Sequence, residues 1–437
     1  MDLHSPPRKR TPDVKLGDLP YEDIPNQCMI LGADPDRMAF GRIYDSRVVI
    51  TGPYDVVSSI LNEVEPITET RLAAYAHADG TRKITLEGLK EIRSITQKST
   101  AGGAICESIC TFDNVILDAH YEKIPTVISV RIEYPFNWGM MTNKHEYKCH
   151  KSIRVPECGI TVEVVQESEF SRTPNYESKE DFLTYTIKAD PGIDMNMMMK
   201  YVWQLNNFLT VFMGWPVYPQ RLTMIDADGT KFLHYPVELF DLKRRIPPTE
   251  HTHRMEYDEL MDKRFEDILK KWFLLYRRVG RPVSEYFESV RGDSVYRSRF
   301  IDHTNTMQRI YRKTNNDTES LLEMLRDAVN IYRGIYEPGA SLMESIKETR
   351  NHYVHGDRNK LDPLVVTSDF DLAKFGWIVA MLIEGKLLNM VAGDDPDILD
   401  PILRKIHKSH VDCIMKVPGF IDYDGTEPGE DEGQDID

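Results

Sequence analysis

Toward the end of the chain, the run ETRNHYVHGDRNK gathers Arg350, Asn351, His352, His355, Asp357 and Arg358 within nine residues. These residue types can cleave a phosphodiester of RNA without a metal. One group of near-neutral pKa must take the proton of the 2′-hydroxyl, and histidine is the side chain suited to that. A permanent cation must hold the charge that builds on the phosphorane, and the planar fork of arginine matches it. Such a reaction leaves a 2′,3′-cyclic phosphate and a 5′-hydroxyl. With 29 Arg and 13 His in 437 residues, Arg followed five positions later by His arises about once by chance, so the spacing alone has little weight. Five residues at about 100° each also put Arg350 and His355 roughly 140° apart on an ideal helix. They meet if His355 sits in a loosened last turn beside Gly356, or if a second copy of the motif approaches. The competing reading has Arg350 paired with Glu344 or Glu348, and His355 capping helix carbonyls.

The elements that must position these groups change character along the chain. Runs such as Val48–Thr51, Lys83–Leu86, Asn114–Tyr121, Thr126–Tyr134, Ile160–Val165 and Phe182–Ile187 are rich in β-branched and aromatic residues, and several alternate apolar with polar. Ala78-Asp79-Gly80 reads as one of the intervening turns. Asn196–Gly214 has helical spacing. After Pro247-Pro248 the chain becomes helical throughout: Tyr257–Val279, a new turn begun by Pro282, then Val295–Lys313, Glu319–Ile335, Leu342–His355 and Ser368–Ala392. Ser341 and Glu344 fit a capping box, and Gly356 suits the position after the helix end. The fold class is therefore α+β, an N-terminal antiparallel β-rich domain followed by an all-α bundle. The division reads 1–30 as an arm, 31–247 as the β-rich domain, 248–420 as the helical domain and 421–437 as a disordered acidic tail.

The run RNHYVH fits the motif of the HEPN ribonucleases: Arg, a polar residue, three further residues, then His. It lies late in a helical bundle, as it does in that family. The β-rich half resembles the N-terminal domain of the ApeA-like, abortive-infection branch of HEPN proteins. The likeness lies in GRIYDSRVVITG (41–52), AYAHADGTRKITLEGL (74–89) and WQLNNFLTVFMGWPVYPQRL (203–222), and it runs from about Met38 to Ala392. It implies a metal-independent endoribonuclease of anti-phage defence, with no cofactor. It also implies a homodimer or higher homo-oligomer in which two Arg–His motifs line one cleft. By carry-over His355 is the acid/base, Arg350 the phosphate clamp, and Asn351 orients the helix end or touches substrate. His352, Asp357 and Arg358 become supporting or RNA-contacting residues. The implied substrate is host RNA, with tRNA the leading candidate, and the implied trigger a phage protein sensed by the β-domain. Lys270, Lys271, Arg277, Arg278, Arg281 and Arg291 would be a phosphate-tracking face. The alternative is a solvated face paired with Glu266 and Asp267.

Two other classes compete. His145, Cys149, His150 and Cys158 offer four zinc-type ligands, though adjacent Cys149 and His150 would point oppositely on a strand. A non-catalytic HEPN-type protein, whose bundle only dimerises, is the second. Cys106 and Cys110 read as two small buried residues. The cluster Met195, Met197, Met198 and Met199 reads as core or as a partner face. No phosphate-binding glycine motif occurs, which leaves nucleotide-dependent classes without support.

Composition fits these readings. Six cysteines in 437 residues do not make a disulfide scaffold, and 41% hydrophobic content excludes a wholly disordered chain. The net charge of −16 argues against a simple basic wrapper of nucleic acid. Half of that charge, −8, lies in residues 421–437, while 251–420 carry 26 bases against 27 acids. The basic triplet Arg8-Lys9-Arg10 has no apolar run after it, so no secretory signal is expected. The most apolar stretch, Gly376–Ala392, is interrupted by Glu384 and Lys386. A cytoplasmic protein with reduced cysteines and no membrane partner is expected.

Overall fold

A computed structural model of the chain describes residues 27–31, 38–44, 47–62, 71–75, 83–87, 90–98, 104–112, 114–117, 126–134, 150–173, 176–214, 216–219, 221–236, 259–291, 295–314, 320–356, 362–393 and 395–415. The N-terminal arm, the acidic tail and the 78–80 turn lie outside the described residues. The chain forms two compact units that are not sequential blocks. One gathers Met1–Pro135, Thr184–Met198 and Tyr218–Thr249; the other gathers Phe136–Leu183, Met199–Val217 and Glu250–Asp437. A division placed at residues 247/248 therefore differs from the compact units, because the second unit also takes in a β-hairpin and most of a helix from the earlier half.

The first unit is an antiparallel sheet. Its strands are β1 (Gln27–Leu31), β2 (Met38–Tyr44), β3 (Arg47–Pro53), β4 (Arg71–Tyr75), β5 (Lys83–Glu87), β6 (Lys90–Lys98), β7 (Ala104–Thr111), β8 (Asn114–Leu117) and β9 (Val127–Tyr134), joined later by β13 (Arg221–Asp226) and β14 (Lys231–Pro236). Their order is β9-β13-β14-β8-β5-β4-β1-β2-β3-β7-β6, each pair antiparallel. Helix α1 (Tyr54–Asn62) packs on β3 and β7. Alternation fixes which face is buried, as in β13, where Leu222, Met224 and Asp226 point inward. Cys106 and Cys110 are both buried thiols, in agreement with their reading as two small buried residues.

In the second unit β10 (His150–Val155) and β11 (Ile160–Thr173) form a hairpin, and β12 (Tyr176–Ala189) runs from this unit into the first. Helix α2 (Met195–Met213) buries Met198, Val202, Leu205, Leu209 and Phe212. The methionine cluster splits: Met195 and Met198 are buried, and Met197 is exposed.

The remaining helices are α3 (Glu259–Arg291), α4 (Tyr296–Thr314), α5 (Leu321–Ile331), α6 (Ala340–His355), α7 (Asp369–Ala392) and α8 (Pro396–Met415). Helix α3 buries Phe265, Ile268, Trp272 and Leu275, and Trp272 Nε1 donates to the Gln204 carbonyl at 2.8 Å. Its helical dihedrals break at Val279 (φ −127°, ψ 19°), three residues before Pro282. That is where the proline ring and its missing N–H disturb the preceding turn. Helix α7 is the centre, packed by α3, α4, α5 and α8. It is the one described helix long and apolar enough to cross a membrane, and most of it is buried inside the protein. Glu384 and Lys386 do not face an apolar solvent. Glu384 accepts from Tyr286 Oη at 2.8 Å and lies 3.2 Å from His410, while Lys386 bonds Asp327 at 3.0 Å.

The capping box expected at Ser341/Glu344 is not formed. Helix α6 starts two residues earlier, with Gly339 at its N-cap and no side-chain cap. Ser341 therefore sits inside the first turn, and Glu344 pairs with Arg326 at 3.3 Å. The box occurs instead on α5, where Ser320 and Glu323 satisfy each other's backbone N–H groups.

Candidate active site

Helix α6 carries Arg350, Asn351, His352 and His355, and it packs on α4 and α5. Two groups on its other flank hold the chain that follows. Ser345 Oγ donates to the Leu364 carbonyl, and Val366 N donates to Thr349 Oγ at 3.1 Å. The helix ends at His355. Gly356 adopts φ 70°, ψ 31°, and its N–H bonds the His352 carbonyl at 3.0 Å. A side chain is strained in that left-handed conformation, which is why glycine closes the helix.

This ending brings the pair together within one chain. Arg350 Nη1 lies 3.2 Å from His355 Nε2. Five helical residues rise about 7.5 Å, and the long arginine side chain spans that rise to the last residue. Guanidinium can only donate, so Nε2 accepts and the ring proton sits on Nδ1. Arg350 Nη1 also donates to Asn351 Oδ1 at 3.4 Å, while Nη2 donates to Asn305 Oδ1 at 3.1 Å and to Gln308 Oε1 at 3.0 Å. Asn305 and Gln308 belong to α4, and the sequence reading did not include them. Their signal is three-residue spacing on a helix, but nothing in the sequence says that this face meets α6.

Every acceptor of Arg350 among the described residues is a neutral group. The pairing with Glu344 or Glu348 is absent, since Glu344 pairs with Arg326 and Glu348 with Lys347 at 2.6 Å. Burial, and then the like charge of Arg312, lower the proton affinity of the Arg350 guanidinium below its ordinary value. Its buried Nε has no hydrogen-bond partner among the described residues. Arginine stays charged regardless, so the site holds a half-buried cation with no counter-ion among the described residues. His355 itself is exposed.

His352 does not join the pair; its ring stands edge-on to Tyr353 at 5.2 Å, and Arg297 lies 4.7 Å above the Tyr353 ring. Its carbonyl, rather than its imidazole, shapes the helix end. Asp357 and Arg358 lie outside the described residues.

The expected phosphate-tracking face on α3 is occupied by other work. Lys270 bonds Glu266 at 2.6 Å, Lys271 pairs with Asp267 at 2.8 Å and Arg281 pairs with Glu285 at 3.0 Å. Arg277 donates to the Glu157 carbonyl, and Arg278 to the Lys313 and Thr314 carbonyls. Arg291 is buried, bonded to Asn207 and stacked 5.1 Å over Trp203, so it cannot face a nucleic acid.

Of the alternative metal ligands, His145 and Cys149 lie outside the described residues. His150 begins β10, opposite Val165, whereas Cys158 lies in the turn at the other end of that hairpin. The five steps from His150 to Val155 alone extend roughly 16 Å, too far for the two to ligate one ion. Cys158 is buried, and its carbonyl accepts from Tyr201 Oη at 2.8 Å. Among the described residues no group of three or more His, Cys, Asp or Glu is placed to hold a metal.

Comparison of the chain with protein-family models, with curated proteins and with solved structures finds no match.

Proposed function

We propose that the chain is a HEPN-type, metal-independent endoribonuclease acting in the cytoplasm in anti-phage defence. Its substrate would be host RNA, with tRNA the first candidate. The β-rich half would sense infection, with a phage protein as the trigger, and two copies would bring their Arg–His motifs to one cleft. One observation supports the reading above the others: Arg350 and His355 touch at 3.2 Å at a helix end, and the cation's acceptors are all uncharged.

The chemistry follows from what each group can donate or accept. A phosphodiester oxygen is a better acceptor than a neutral ring nitrogen, because hydrogen bonds to an ionised acceptor are about twice as strong. An entering phosphate therefore draws the guanidinium off Nε2. The lone pair so released takes the 2′-hydroxyl proton as the 2′-oxygen attacks phosphorus. Arg350 stabilises the phosphorane, the 5′-oxygen leaves with the proton that His355 took from the 2′-hydroxyl, and the products are a 2′,3′-cyclic phosphate and a 5′-hydroxyl. Asn351, Asn305 and Gln308 hold Arg350 in place.

The test is cleavage of RNA by the full-length protein in EDTA, with product termini analysed. Wild type is expected to cleave and to leave cyclic phosphate, and Arg350→Ala or His355→Ala to lose about 10²–10⁴-fold in rate while folding normally. Cleavage by His355→Ala at the wild-type rate would refute the assignment. Cleavage by wild type only on addition of a divalent ion would favour the metal reading.

A further inference from the structure

Asn305 and Gln308, which receive the Arg350 guanidinium, stand three residues apart on α4. Arg312 is four residues beyond Gln308 and seven beyond Asn305. At 100° per residue it lies about 40° round the helix from Gln308 and about 20° from Asn305, which places it between them in angle. It therefore continues the line of side chains that faces Arg350. Arg312 is exposed, and among the described residues it has no hydrogen bond or ion pair. The neighbouring cation Arg309 differs in this respect, since it is paired with Glu285 on an adjoining face. The like-charge effect of Arg312 on Arg350 agrees with this placement. Two mutually repelling cations, neither paired with an acid among the described residues, are unfavourable by themselves and become favourable when a polyanion covers both.

We propose that Arg312 is a substrate-binding residue that takes the phosphate adjoining the one held by Arg350, so that α4 and α6 together bind a single RNA strand across the helix end. This rests on the ribonuclease reading of the Arg350–His355 pair. The rise from Gln308 to Arg312 is about 6 Å, comparable to the step between successive phosphates of a strand. Arg312 makes no contact with the reacting atoms in this scheme; it sets the strand's register.

The experiment is a salt titration of binding between the full-length protein and a fluorescent 2′-O-methyl oligoribonucleotide, which lacks the attacking hydroxyl. Each lost phosphate contact on a single strand lowers the slope of log K against log salt by about 0.7, which is about an eightfold loss of affinity at 50 mM salt. Arg312→Ala is expected to show both changes, and Arg312→Lys to keep most of the slope. Arg333→Ala, which removes an exposed arginine at the end of α5, should match wild type. In cleavage of ordinary RNA, Arg312→Ala should raise KM more than it lowers kcat. An unchanged slope in Arg312→Ala, an equal loss in Arg333→Ala, or no RNA binding by wild type would each overturn the proposal. The two readings separate cleanly. Wild type that cleaves RNA while Arg312→Ala keeps its slope sinks the strip alone. Wild type that binds but never cleaves, with the slope lost in Arg312→Ala, sinks the nuclease and leaves the strip.

Discussion

Replacing Gly385 with alanine sets two effects of opposite sign against each other in the central helix. In an exposed helix the change stabilises by about 1 kcal/mol, because glycine has the poorer helix propensity. At this position a Cβ would lie 2.7 Å from Tyr332 Oη and 2.8 Å from Cζ, with Cε2 closer still. Tyr332 cannot swing aside freely. It is fully buried, and its hydroxyl donates to the Met381 carbonyl at 2.6 Å, one turn before Gly385. Relieving the overlap means overpacking, at about 1–3 kcal/mol, together with giving up a buried hydrogen bond, at about 1 kcal/mol. Set against the propensity gain, the net is a loss of about 1–3 kcal/mol. In a unit of this size about 1 kcal/mol moves the thermal midpoint by 2–4 °C, so a fall of about 2–12 °C is expected by differential scanning fluorimetry of the full-length protein. A second change tests the cause. In a Tyr332→Leu background the ring is gone, and Gly385→Ala should be neutral or stabilising. An unchanged or raised midpoint for Gly385→Ala alone would refute the reasoning.

Two further outcomes follow from buried polar groups. His303 is held neutral by burial, with its pKa lowered to about 4, while Ser289 and the Gly376 carbonyl occupy its two nitrogens. A histidine whose folded pKa is depressed binds its proton more readily when unfolded, so stability falls as pH drops below about 6.5. Between pH 7 and 5 the loss is about 2 kcal/mol for this residue, and urea midpoints should fall accordingly, with a flatter dependence in His303→Gln. Glu384→Ala removes the carboxylate that meets both Tyr286 and His410, and leaves Tyr286 only its longer bond to the Ala380 carbonyl at 3.5 Å. Leaving a buried polar group without its hydrogen bond costs about 1–3 kcal/mol, and an unfolding free energy equal to wild type in urea denaturation would contradict this.

Legibility from sequence varied with how local the cause was. The stripes Phe265–Ile268–Trp272–Leu275 and Leu321–Leu325–Ala328–Tyr332 are buried as their periodicity implies, because one face of a helix is decided by spacing alone. The left-handed Gly356 is equally local. The capping box is misplaced from sequence because Ser-x-x-Glu occurs at Ser320, Ser341 and Ser345, and which serine starts a helix depends on a residue or two of register. Helix α8 was not read at all. Pro396 and Pro401 look like breakers, yet Pro396 stands at the first helical position, where its missing N–H does no harm. At the site, Arg350, Asn351 and His355 come from one contiguous run and were read together. Asn305 and Gln308 lie more than forty residues upstream, and only the packing of α6 on α4 brings them to the guanidinium. The α3 cations were legible as cations, but their partners across the fold were not.

The placement of His355 as the last residue of α6 has a consequence for durability. Terminal turns open first, with free energies close to zero compared with the global value. The Arg350–His355 contact spans that last turn, so its occupancy follows a local opening equilibrium rather than the melting of the bundle around buried α7. Warming frays the turn and separates the two groups while the core remains intact. The Arg350–His355 contact is thus less durable than the packed core around α7, and under the proposed ribonuclease function cleavage is expected to fade at temperatures where the fold still stands.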